Sequence, residues 1–384
     1  MTESNPTNHT NAPVNSEETD NAETDNALVL NDKMTNDATL SSSPSSSSTL
    51  SAATINSPTI SYPTPEWQKF GDHAWYPSDL SEHLYQAMID IGDGIELCVE
   101  AGGDPKNPPL LMIMGLGSQM IFWPDNFIKR FIDAGFFVIR FDNRDIGLSS
   151  KVQIDGLPRI SQLKMMMRLQ TGLSNKGAPV AYNLTDMAED TARLIKALKL
   201  GKTHLLGASM GGMIAQIVAA RYPSLVQRMA LMFTTTNRAF LKPPKPKQLY
   251  TLINRPESHS ERDIVRHSVW FMKTVGTPGH VNVRMVRDIA KIRYQRNFHP
   301  LGTVQQLNAI LASGSISKYS KQVKAPTIVL HGSADGLLPA SQGRVVAKTI
   351  PNATFHLIEG MAHDIPEYYQ PYMVDLISKH LLEK

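Results

Sequence analysis

Residues 203–212 read Thr-His-Leu-Leu-Gly-Ala-Ser-Met-Gly-Gly, an apolar strand-type run that breaks at Gly207-Ala208-Ser209-Met210-Gly211. Residues 213–220 then carry apolar side chains at helical spacing, so the segment predicts a buried strand, a tight turn and a helix in that order. A turn this sharp brings the residues two before and two after its apex into contact, and both positions are glycine, which adds no Cβ. The hydroxyl of Ser209 then projects freely from the apex, which makes it the candidate nucleophile. The bland reading, a glycine-rich turn in a doubly wound sheet with an incidental serine, has to be weighed against what else the chain supplies.

A serine hydroxyl becomes nucleophilic only beside a base, and the base needs a carboxylate to orient it. The C-terminal part offers both. Residues 325–332, Ala-Pro-Thr-Ile-Val-Leu-His-Gly, predict a late strand that runs into Gly332-Ser333-Ala334-Asp335-Gly336, with Pro339 opening the next helix. Asp335 is the candidate acid, although a strand-end Asp-Gly pair also suits a plain turn or cap. Residues 353–360 alternate as a final strand and deliver Met361-Ala362-His363-Asp364 into a loop, so His363 is the candidate base. The neighbouring Asp364 is assigned instead to capping the helix that Pro366 opens. His331 and His356 read as strand-end and strand-face histidines. After the strand at 229–233 the chain offers only Thr234, Thr235, Thr236 and Asn237, with no carboxylate, which favours Asp335.

Ester or amide chemistry at a serine also needs two backbone N–H groups where negative charge develops on the carbonyl oxygen. One is assigned to Met210, at the helix start where amides are free. The second is assigned to Leu116, in the loop Gly115-Leu116-Gly117-Ser118 that follows the early strand at 109–114.

The runs Met114-Gly115-Leu116-Gly117-Ser118, Phe122-Trp123-Pro124 and Val138 to Ser149, with Asp142-Asn143-Arg144-Asp145 inside it, resemble the serine esterases and lipases of the α/β-hydrolase superfamily. They are most similar to the bacterial carboxylesterase branch that includes aclacinomycin methylesterase. The resemblance runs from about Asp72 to the C-terminus. One departure is Met114, where the common form of the loop has histidine. The resemblance implies carboxylic-ester hydrolysis with Ser209, Asp335 and His363 at the triad positions, and a structural role for Arg144 and Asp145 in holding their loop by ionic hydrogen bonds. The alternatives on the same triad are a lipase for long-chain acylglycerols, a carbon–carbon bond hydrolase and a cofactor-free perhydrolase. A catalytically silent binding protein is the alternative of another class. No metal or organic cofactor is expected, since no clustered His/Cys pattern suggests one.

The fold expected is α/β: a mostly parallel eight-stranded sheet with flanking helices, spanning 63–384, with a helical cap inserted at about 237–322. Residues 1–62 differ in kind. Thirty-one of them are Ser, Thr or Asn, and they hold eight acidic residues against Lys33. Such a segment buries too little apolar surface to offset its ordering entropy, and we read it as a disordered tail. It shows neither the basic start nor the apolar stretch of a secretory signal, and no apolar run approaches the length of about 18 residues that a membrane span needs. Lone Cys98 permits no internal disulfide. A cytoplasmic enzyme follows as the expectation.

Charge adds a regional signal. Residues 242–300 hold 12 Lys or Arg against four Asp or Glu. This basic stretch reads either as a solvated helical face or as a surface for anionic substrates or lipid. No nucleic-acid module accompanies it. A second insertion, 151–182, contains Met165-Met166-Met167, which suits substrate-entrance lining or ordinary core filling. Thr185 is read as the N-cap of the helix leading to the Ser209 strand.

Overall fold

A computed structural model of the protein describes residues 70–158 and 160–383; the tail read from the sequence at 1–62 lies outside them. The chain forms nine strands: β1 (Tyr76–Pro77), β2 (Tyr85–Asp90), β3 (Glu96–Gly102), β4 (Pro109–Ile113), β5 (Phe137–Phe141), β6 (Thr203–Ala208), β7 (Val226–Met232), β8 (Thr327–Gly332) and β9 (Ala353–Ile358). They make one sheet in the order β1-β2-β3-β5-β4-β6-β7-β8-β9. Strands β1 to β3 are antiparallel to their neighbours, and β5, β4, β6, β7, β8 and β9 run parallel. The sheet thus has one strand more than the eight expected. The addition is β1, two residues paired with β2 and ending in proline, too short to show a period.

The helices are α1 (Asp125–Asp133), α2 (Gln162–Gln170), α3 (Leu184–Ala197), α4 (Met210–Arg221), α5 (Pro246–Ile253), α6 (Glu261–Val275), α7 (Val283–Arg296), α8 (Pro300–Ser313), α9 (Ser317–Ser320), α10 (Ala340–Thr349) and α11 (Gln370–Leu382). Parallel strands need crossovers, and helices on both faces bury the continuous apolar runs that those strands show. On one face Leu111, Ile139, Leu205, Leu231 and Val329 pack with residues of α3, α4 and α10. On the other, Leu110, Val138, Leu206, Ala230 and Leu330 pack with Phe127 and Phe131 of α1 and Met373 and Ile377 of α11. The alternation along each strand is the period-two rule expressed in a sheet buried on both sides.

Strand order reverses at β4, which lies between β5 and β6. Ile113 at the end of β4 is in register with Gly207 of β6, so the loop after β4 meets the turn after β6. In open α/β sheets the crevice at such a switch point is where ligands bind. Nearby, Glu100 and Arg140 face each other across β3 and β5 as a buried ion pair at 2.6 Å. Ser78 and the Trp123 carbonyl take up further hydrogen-bonding capacity of the pair. Arg144 makes a bidentate pair with Asp190, while Asp145 accepts from the Val152 amide and the Tyr182 hydroxyl, so the two residues tie their loop to α3 and to the following segment. At the start of α3 the cap is Asn183, not Thr185. Its side chain accepts from the Thr185 amide, and Asp186 reaches back to the Asn183 amide in a reciprocal box.

The basic stretch forms α5 to α8 between β7 and β8. Among the described residues no helix is long and apolar enough to cross a membrane.

Candidate active site

Ser209 stands between β6 and α4 with φ 53° and ψ −118°, a sparsely populated conformation for a residue with a side chain. Close packing enforces it. A Cβ on Gly207 would come within 2.6 Å of the Gly211 carbonyl oxygen, and one on Gly211 would lie 1.9 Å from the Ile113 carbonyl oxygen. Only glycine at both places lets α4 start directly against the end of β4. Thr234 at the end of β7 secures the turn from below, its hydroxyl donating to the Ser209 carbonyl at 2.7 Å.

Asp335 and His363 arrive from the ends of β8 and β9, whose register sets their loops side by side. The Ser209 Oγ lies 3.0 Å from His363 Nε2, and His363 Nδ1 lies 2.7 Å from Asp335 Oδ2. The other carboxylate oxygen, Oδ1, accepts from the Leu337 and Leu338 amides at 2.9 and 2.8 Å, so one oxygen braces the turn while the other faces the His363 ring. With Nδ1–H donating to Asp335, the Nε2 lone pair faces the serine hydroxyl. Burial alone would raise the Asp335 carboxyl. The adjoining His363 and His331 and their hydrogen bonds outweigh it and hold the group well below the usual carboxylate range.

His331 is a residue that sequence reasoning placed only as a strand end. Its Nε2 sits 2.7 Å from the Leu338 carbonyl and 3.3 Å from Asp335 Oδ2. A carbonyl can only accept, so Nε2 carries the proton. The acid is therefore flanked by two imidazoles, and the spacing His331 to Asp335 was the signal. Asp364 also differs from expectation. Its Oδ1 accepts from the amide and hydroxyl of Thr277, just beyond α6, instead of capping the helix after Pro366. Thr277 in turn accepts from the Ala362 amide at 2.9 Å, and the backbone amide of His363 donates to the Val275 carbonyl at 3.0 Å. Burial raises the Asp364 carboxyl, and the Thr277 hydrogen bonds oppose the rise.

The loop assigned to the second amide donor lies against the serine: a Cβ on Gly115 would be 3.1 Å from Ser209 Cβ. Among the described residues no acceptor is bonded to the amides of Leu116 or Met210, whereas the Gly117 amide donates to Gln306 Oε1. The loop is held further by Asn143, which donates to the Met114 carbonyl, and by Arg293, which donates to the Gly117 carbonyl.

Ser209 and His363 open into a cavity of about 1250 Å³ whose walls come from the loop after β4, from α2 and from α5 to α8. Met166 and Met167 line it, while Met165 turns away to pack on Leu307 and Leu311. Phe233 lies against the His363 ring at 4.7 Å between centroids. Among the described residues no three His, Cys, Asp or Glu side chains gather as a metal site requires.

Residues 108–368 match the family described as the alpha/beta hydrolase fold. The rhodomycin D methylesterase of Streptomyces peucetius is 24% identical over 298 residues, covering 71% of this chain and 91% of the relative. A poly(3-hydroxyalkanoate) depolymerase of Ectopseudomonas oleovorans is 28% identical over 260 residues, covering 67% and 78%. Among solved structures, an esterase from Exiguobacterium antarcticum superposes with a TM-score of 0.57 at 18% identity, covering 77% of this chain and 98% of that one.

Proposed function

Because this chain belongs to the alpha/beta hydrolase fold family, we propose that it hydrolyses carboxylic esters through an acyl-enzyme, with Ser209 as nucleophile, His363 as base and Asp335 as orienting acid. The observation that carries this reading is the continuous relay from Ser209 Oγ through His363 to Asp335, at 3.0 and 2.7 Å, with Ser209 and His363 lining an apolar cavity. The two relatives above are named for a methylesterase and a depolymerase, both consistent with ester cleavage.

In the first half-reaction Ser209 Oγ attacks the ester carbonyl carbon as its proton passes to His363 Nε2. The Met210 and Leu116 amides stabilise the oxyanion, a contribution worth about 3–4 kcal/mol per donor in comparable sites. The alcohol leaves with the proton that His363 returns. Water then repeats the sequence on the acyl-enzyme. Asp335, kept ionised, stabilises the imidazolium that forms and fixes the tautomer that presents Nε2 to the serine.

A fluorophosphonate probe tests this directly, because only an activated serine beside oxyanion donors attacks phosphorus quickly. One equivalent of label on Ser209 is expected, lost in Ser209→Ala. Undiminished labelling of that variant would sink the assignment.

A further inference from the structure

Among the described residues Arg293, on α7, stands in the cavity wall with no carboxylate partner. Its neighbour one helical turn on, Arg296, pairs with buried Asp142. Arg293 by contrast spends one N–H, from Nη2, on the Gly117 carbonyl at 3.0 Å, and lays its guanidinium 4.5 Å from the centre of the Phe122 ring. Among the described residues its Nε is buried without any partner, and Nη1 makes no hydrogen bond. A guanidinium has five N–H donors in a planar fork, so most of its donor capacity is unused. Burial costs this charge enough to pull the group down to about 10, opposed only by the field of Asp142. Buried charges in folded proteins are ordinarily paired. A carbonyl such as that of Gly117 needs only a neutral donor.

We infer that Arg293 is an anion subsite, and that the ester this protein takes carries a carboxylate, held by the Arg293 fork while the ester carbonyl lies at Ser209. The inference rests on the hydrolytic reading of that serine and specifies its substrate class. Gly117 follows Leu116 directly, so the subsite lies on the same side of the cavity as the oxyanion loop. The Phe122 ring and the mostly apolar wall would take the hydrocarbon between the two ends. Carboxylate and guanidinium meet through parallel N–H···O bonds, a geometry that lysine cannot reproduce. Half-esters of dicarboxylic acids have this chemistry.

The test compares monomethyl esters of dicarboxylic acids, from succinic to sebacic, with methyl esters of the corresponding monocarboxylic acids, in the full-length protein and in Arg293→Met and Arg293→Lys. The ratio of kcat/KM for anionic over neutral ester, taken at the best chain length, is expected to fall roughly 30-fold or more in Arg293→Met. Arg293→Lys should retain part of it. The neutral ester absorbs whatever the substitution does to the Gly117 loop, so the ratio isolates the subsite. An unchanged ratio, or equal losses on both esters, overturns the inference and leaves Arg293 as loop support. Calorimetric binding of the same half-ester to Ser209→Ala, with and without Arg293→Met, reads the subsite without chemistry, so failure of the hydrolytic reading and failure of the subsite are told apart. Should Arg293→Met not fold, the wild type decides: the free dicarboxylate should inhibit neutral-ester hydrolysis at least about tenfold better than the diol of equal length, and equal inhibition refutes the subsite.

Discussion

Replacing Thr277 by valine keeps the shape of a fully buried side chain and deletes one hydroxyl that serves two partners. The Ala362 amide loses its acceptor, and Asp364 Oδ1 keeps only the Thr277 amide at 3.0 Å. A buried amide left unpaired costs about 1–3 kcal/mol, and a hydrogen bond to a charged acceptor is worth about 1.5–3 kcal/mol. The two belong to one cluster and do not add fully, so about 3 kcal/mol is expected, or roughly 1 M in the urea midpoint. Because the lost bonds hold the backbone on either side of His363, kcat should fall about 10- to 100-fold with KM little changed, as for a displacement of the base on the order of 1 Å. Thr277→Ser restores the hydroxyl and should recover most of both. The effect has a sign with pH. Burial raises Asp364 and the Thr277 bonds oppose that, so the variant's carboxyl lies higher still. The stability difference is then largest above the variant's higher value, where the carboxyl is ionised in both proteins, and shrinks as pH falls from there through the wild-type value. The experiment is urea unfolding at several pH values beside steady-state kinetics on one soluble ester. A valine variant with wild-type midpoint and kcat, or a serine variant as impaired as valine, refutes the tether.

Two further outcomes follow from the geometry. Gly211→Ala puts a Cβ 1.9 Å from the Ile113 carbonyl oxygen, so it should destabilise by about 3 kcal/mol or more and lower Tm by roughly 6 °C or more, with loss of probe labelling at Ser209; a wild-type Tm would show that the turn is looser than drawn. Hydrolysis of tributyrin should follow a smooth hyperbola through its saturation point, because α7 and α8 are bonded to the loop after β4 and are not free to swing away; a sharp rise at saturation would mean a lid that opens on lipid.

The parts of the site legible in the sequence are those built from neighbours in the chain. Ser209 declared itself because Gly207 and Gly211 can only mean close approach at a turn. Asp335 and His363 could be placed because each follows an apolar strand into a loop, and parallel strands in such a sheet end on one edge. The cap of α3 is local chemistry too: Asn183 and Asp186 form a capping pair at the spacing such pairs require, and Thr185 merely lies between them. What no period or spacing carried are contacts whose partners are distant in sequence. Thr277 and Asp364 are 87 residues apart, and Arg293 and Gly117 are 176 apart. Their pairing depends on how α5 to α8 fold back over the sheet, which is a property of tertiary packing. The basic charge of 242–300 was visible as a sum, yet its meaning divides residue by residue: Arg296 is buried against Asp142, whereas Arg266 pairs at the surface with Glu257 and Asp263.

These long-range contacts make the helices between β7 and β8 hold the loops around Ser209 and His363 as well as enclose the cavity. Gly117 is gripped from both sides, its amide by Gln306 of α8 and its carbonyl by Arg293 of α7, and Gln119 donates to the carbonyls of Arg293 and Asn297. The end of α6 grips the histidine loop through Val275 and Thr277. The loop we assign to an oxyanion amide and the loop that carries His363 are therefore both fastened to the segment that lines the cavity. In such an arrangement, a substitution in the cavity wall moves backbone atoms within a few bonds of the reacting centre, and selectivity and turnover change together. The Gly117 carbonyl is the sharpest case: the same guanidinium that would recognise the far end of the substrate also sets the position of the peptide next to the Leu116 amide. A ligand that draws Arg293 toward its own carboxylate alters that hydrogen bond as it binds. Binding energy from the remote anionic group can in this way be expressed at the oxyanion, where it raises kcat and not only affinity.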